Sequence, residues 1–115
     1  VLIFKSFGKK NRKEHISKVR ELQCDPKNII IDLRNISSYN AVHIPGTLNV
    51  PEDKLFEQIR SLAPDYSSPI YLFCMTGERS ADACSALEAM GYWNVWDLGS
   101  ISGWKYGYMT ISGFQ

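Results

Sequence analysis

Two short apolar runs, IIIDLR at residues 29–34 and IYLFC within residues 70–74, restrict the fold more than any other feature of this chain. A strand with one wet face alternates apolar and polar residues, whereas three consecutive Ile residues require cover on both faces, the condition of a central strand in a parallel sheet. Around these runs the pattern changes to a helical one. Pro51 opens a predicted helix through about Leu62 with Leu55, Ile59 and Leu62 on one face, and residues 80–90 form a second, closed by Gly91. HISKVRELQCDPKN predicts a short strand, a capped helical turn near Ser17 and a turn at DPKN. SSYNAVHIPG reads as a loop or helical turn, TLNV as a short strand, APDYSSP as a turn and YWNVWDL as a further strand. Strand and helix alternate throughout. The expected class is therefore α/β, a mostly parallel sheet with helices on both faces and its ligand edge at the carboxyl ends of the strands.

No stretch of the 115 residues approaches the roughly 18 to 20 apolar positions that span a bilayer, and none has the layout of a signal peptide. The chain opens on Val, compatible with a piece of something longer or with removal of an initiator Met. Three cysteines, Cys24, Cys74 and Cys84, form no CxxC pair, so neither a zinc site nor a disulfide framework is expected, and a reducing, cytoplasmic setting is. Charge is unevenly spread. Residues 1–20 hold seven Lys/Arg against one acid and the remainder six against eleven, which sets a basic arm over residues 1–14 apart from a mildly acidic domain over 15–115. Such an arm reads first as a solvated tail and second as a membrane-proximal segment. Nothing in the body supports nucleic-acid binding.

The chemistry concentrates in CMTGERS, residues 74–80. Cys74 ends a predicted central strand just before a helix, and Gly77 permits the curved backbone in which successive N–H groups converge on an anion. The helix N-terminus and Arg79 add positive potential. All three favour a thiolate over a thiol, so this loop describes a pocket for a sulfur anion that needs neither metal nor cofactor.

With these motifs the chain resembles the single-domain rhodaneses, a sulfurtransferase family, from about His15 to Tyr108. IIIDLRNISSYNAVHIPGTLNVP resembles the family's Asp-Val-Arg strand, His-Ile-Pro-Gly and Asn-Ile-Pro segments. YLFCMTGERSADACSALEAMGYWNVWDLGSISGW resembles its Cys-x-x-Gly-x-Arg-Ser loop, amphipathic helix, following strand and closing Gly/Trp segment. The resemblance implies a rhodanese-like fold with a five-stranded sheet. It also implies Cys74 as the nucleophile that carries a sulfane sulfur as a persulfide, with Met75, Thr76, Gly77, Glu78, Arg79 and Ser80 as the loop around that sulfur. Asp32 and Arg34 correspond to residues that brace the loop, and His43 belongs to a structural HIPG motif. Expected partners are a small sulfur donor, thiosulfate or a persulfide, and a thiol or cyanide acceptor; a protein persulfide or a thioredoxin-like acceptor is also compatible.

Two other functions remain compatible with this sequence. A phosphatase or arsenate reductase of the same fold must enclose a larger oxyanion and carries five residues between Cys and Arg, whereas four separate Cys74 from Arg79 here. A noncatalytic interaction module would lack the loop cysteine, which is present here as Cys74, whereas a sulfur-relay role is compatible with an intact loop. Cys84, at helical spacing from Leu87, reads as core. Cys24 beside its turn reads as exposed, a weak candidate for a resolving thiol. Trp93, Trp96 and Trp104 read as core or pocket wall. Glu78 is expected to offset the field of Arg79 and so to favour donors of low charge over dianionic thiosulfate.

Overall fold

The apolar runs become neighbouring strands at the centre of one sheet. In the computed structural model, which describes residues 11–110 and 113–114, β2 (Ile29–Asp32) and β4 (Ile70–Cys74) pair in parallel from Ile29 opposite Ile70 to Asp32 opposite Phe73. Around them lie β1 (Arg12–Lys13), β3 (Leu48–Asn49) and β5 (Val95–Ser100), in the order β1-β5-β4-β2-β3 with every pairing parallel. All carboxyl ends therefore reach one edge. A short antiparallel pair, β6 (Met109–Thr110) with β7 (Gly113–Phe114), was not foreseen from the sequence.

Helices cover both faces, as the unbroken apolar runs require. On one face α3 (Leu55–Leu62) and α4 (Glu78–Ala89) bury Leu55, Ile59, Ala83, Cys84 and Leu87 against Ile31, Ile70, Leu72 and Val95. Each large aliphatic side chain buried this way contributes about 1.5–3 kcal/mol. The second face packs Ile16, Val19 of α1 (Val19–Leu22), Ile101 and Trp104 against Ile30, Phe73 and Leu98. Between β2 and β3, α2 (Ile36–Ala41) starts at Asn35, whose side chain accepts the Ser38 N–H.

Several boundaries shift. The helix expected from Pro51 begins as a 3-10 turn at Glu52–Lys54 before α3, and α4 starts two residues earlier than its apolar spacing indicates. The strand expected within 15–28 lies instead at Arg12–Lys13, inside the stretch read as a basic arm. Lys13 faces Asp97 in register and by a 3.3 Å ion pair, which draws this segment into the sheet. His15 then caps a 3-10 turn, Ile16–Lys18, by accepting the Ser17 N–H. Residues 1–10 of the arm lie outside the described residues. Trp93, expected in the core or a pocket wall, is 58% exposed because the preceding Tyr92 occupies the core position and donates from its hydroxyl to the Ala63 carbonyl. Trp96 stacks half-buried on Tyr71, and Trp104 is buried.

Candidate active site

Cys74 stands at the carboxyl end of β4 with its sulfur turned toward α4. The strand period sends Ile70, Leu72 and Cys74 to that face, so the cysteine continues a row of core residues and is itself 2% exposed. Three residues, Met75, Thr76 and Gly77, then turn the chain into α4. Gly77 has φ +97° and is the residue preceding the first helical turn. A Cβ there would meet nothing closer than the Ser100 nitrogen at 3.6 Å, so the glycine is required by backbone conformation and not by crowding.

A helix start usually satisfies its third-residue N–H with an oxygen on the capping side chain. Gly77 has no such oxygen, and the Cys74 sulfur takes that place: it accepts the Ser80 N–H at 3.3 Å and the Gly77 N–H at 3.0 Å. The positive end of α4 thus bears directly on the sulfur. Glu78 and Arg79, the first two helical residues, have N–H groups without intrahelical acceptors. Met75 and Thr76 are exposed at the rim. Two residues of β5 tie the loop down from below. Ser100 donates from its hydroxyl to the Met75 carbonyl at 2.6 Å, and Asp97, 3% exposed, accepts from the Ser80 hydroxyl at 2.7 Å.

A cavity of about 430 Å³ opens over the sulfur, with Arg34, Glu52, Asp53, Met75 and Arg79 in its wall beside Cys74. The model of the rhodanese-like domain family matches residues 15–106. This chain belongs to that family.

Its relatives include the thiosulfate sulfurtransferase PspE of Escherichia coli, 31% identical over 71 residues, a match covering 62% of this chain and 68% of that protein. The thiosulfate:glutathione sulfurtransferase of Saccharomyces cerevisiae is 34% identical over 82 residues, covering 62% of this chain and 59% of that one. A solved structure described as a rhodanese with anions from E. coli superposes with a TM-score of 0.66 at 26% identity, over 72% of this chain and 98% of that chain.

Within this rhodanese-like domain the two arginines of the cavity are each paired. Arg34 is buried on Asp32, with Nε at 3.1 Å from both carboxylate oxygens and Nη2 at 2.8 Å from one of them. The same Nη2 donates to the Val42 carbonyl at 2.7 Å, and Asn49 Nδ2 donates to the carbonyls of Asp32 and Arg34. The pair therefore braces the 35–42 wall and β3, while loop 75–80 is held by Asp97 and Ser100 of β5 and, through Arg79, by Glu52. Arg79 is exposed and donates to the Glu52 carboxylate, which raises its already high pKa. Glu52, and not Glu78, is thus the main counter-charge of Arg79. The reason is reach: Glu78 leaves the helix start beside Arg79 but is absent from the cavity wall, whereas the turn before α3 carries Glu52 across the mouth.

The remaining candidates separate by environment. His43 stacks on Tyr39 at 3.9 Å between ring centroids, and its Nδ1 lies 2.7 Å from the Tyr39 carbonyl, away from the cavity. Cys84 is fully buried, and desolvation pushes its thiol far up from the ordinary value, so it stays protonated. Cys24 is exposed beyond α1. Sequence reasoning missed Glu52, Asp97 and Ser100. Only Asp97 left a trace there, as an acid inside the otherwise apolar run VWDL.

Proposed function

We propose that this domain is a sulfurtransferase that carries sulfur on Cys74. The observation that supports this most is a cysteine sulfur at the floor of a cavity, capping a helix and accepting two backbone N–H groups. In the first half-reaction the Cys74 thiolate attacks the sulfane sulfur of the donor; the donor's S–S bond breaks, and sulfite or a thiolate leaves with the electron pair. In the second, an acceptor thiolate takes the terminal sulfur of the Cys74 persulfide, and the Cys74 thiolate leaves. The first step ends with the negative charge on the outer persulfide sulfur and the second with it on Cys74 Sγ; the positive helix end favours both, and the Gly77 and Ser80 N–H groups bear on Sγ. The activities of the relatives, thiosulfate and thiosulfate:glutathione sulfurtransferase, support the same reading. A reducing compartment such as the cytoplasm suits a nucleophile that must stay a free thiol between turnovers. The test is exposure of the purified protein to a panel of thiosulfate and small persulfides, followed by intact mass. One reducible sulfur per chain, located on Cys74, is the expected result; no adduct from any donor rejects the reading.

Donors of low charge fit this cavity better than thiosulfate. Both arginines of its wall are paired, Arg34 with Asp32 and Arg79 with Glu52, and Asp53 adds a further acid. A dianion meets little net positive field there. Glu52→Gln should release Arg79 and raise kcat/KM for thiosulfate by about threefold, an exposed-charge effect that fades as salt rises. Glu78→Gln makes the same change in net charge outside the cavity wall and should give less. Equal gains from the two variants would show that overall charge, and not the Arg79–Glu52 pair, governs the donor.

A further inference from the structure

Asp97 is the one acid in the core-facing row of β5. It follows Val95 in the strand period and stands opposite Leu72, a position where an aliphatic side chain would pack well. A carboxylate taken this far from water is costly unless hydrogen-bonded and paired. Its Oδ1 accepts the Ser80 hydroxyl at 2.7 Å and the Gly99 N–H at 2.8 Å, and Oδ2 lies 3.3 Å from Lys13 Nζ. The Gly99 bond closes a tight turn of the backbone where β5 slips register against β4.

The Ser80 bond leads to the reactive sulfur. Ser80 is fully buried, and its single hydroxyl proton has two acceptors within reach, the Gly77 carbonyl at 3.1 Å and the Asp97 carboxylate at 2.7 Å. The charged acceptor is the closer and the stronger. With its side chain held there, the backbone N–H of Ser80 is aimed at Cys74 Sγ, and this is the longer of the two cradle bonds. We propose that Asp97 is a positioning residue for sulfur transfer: through Ser80 it holds the first turn of α4 on the Cys74 sulfur, with Lys13 as its counter-charge. This rests on the sulfurtransferase reading for its kinetic consequence. Asp97 is absent from the wall of the cavity over Cys74, so it acts on the cradle and not on donor binding.

The experiment follows the rate of sulfur loading onto Cys74 from glutathione persulfide by intact mass, at increasing donor concentration. Asp97→Ala and Ser80→Ala should each lower the limiting rate about tenfold, the scale of a small misplacement of a catalytic group, and leave the half-saturating concentration within about twofold. The double variant should be no slower than the slower single one, because both changes cut the same link. Asp97→Asn keeps an oxygen for Ser80 and Gly99 and should restore most of the rate. A folded Asp97→Ala protein that loads at the wild-type rate, a loss confined to half-saturation, or losses that add in the double variant would overturn the proposal. Should Asp97→Ala fail to fold, Ser80→Ala decides the matter in the same way. Alkylation of Cys74 by iodoacetamide at one fixed pH gives a readout independent of transfer, and both alanine variants should slow it. A wild-type protein that takes up no sulfur while the variants still slow alkylation rejects the sulfurtransferase reading and keeps the positioning role. Loading by wild type with both rates unchanged in the variants does the reverse.

Discussion

Replacement of Cys74 by Ser should abolish sulfur loading and turnover together, down to the uncatalysed background. Serine matches the volume and still accepts the Gly77 and Ser80 N–H groups, so the fold survives; its hydroxyl, however, does not ionise in the working range and cannot carry a sulfane sulfur. No other thiol can substitute. Cys84 lies on the core face of α4, where burial keeps it protonated, and exposed Cys24 has no comparable cradle: among the described residues its thiol reaches only the Arg20 carbonyl, at 3.8 Å. Cys84→Ala is the control and should retain both loading and turnover. Intact mass and steady-state rates check the pair, and full activity in Cys74→Ser would end the assignment.

The largest loss of stability is expected at Asp32. Asp32→Ala strands the Arg34 guanidinium, whose side chain is only 6% exposed, and breaking a buried pair from one side costs about 3–5 kcal/mol. Against a typical total of about 5–15 kcal/mol, that is a large share of the stability. Urea unfolding measures it. The double variant Asp32→Ala, Arg34→Leu removes both charges and should recover part of the loss, because no uncompensated ion then remains in the core. A single-variant cost below about 1 kcal/mol would mean that Arg34 finds water or another acceptor when its partner is gone.

Charge pairing around the loop is set by chain path more than by adjacency in sequence. Glu78 is adjacent to Arg79 in the chain, and adjacency made it the natural counter-charge. In the folded protein the turn before α3 crosses the cavity mouth, and Glu52 takes the guanidinium instead. Arg34 behaves similarly. Its pairing with Asp32, two positions away on a strand end, was within reach of local reasoning, whereas its bond to Val42 depends on how α2 folds back.

The central strands, the order of strand and helix, and the placement of Cys74 and Gly77 between β4 and α4 are legible in the amino-acid sequence. These follow from signals that act within a few residues: unbroken apolar runs, a 3.6-residue period, and a glycine where the backbone must turn left-handed. The side chains that hold the loop around the sulfur become visible in the folded chain. Ser80 meets Asp97 across 17 positions, Arg79 meets Glu52 across 27, and Lys13 meets Asp97 across 84. Such pairings depend on strand register and on the path of each crossover, and a shift of one residue in register would send Asp97 to the opposite face of the sheet, away from Ser80.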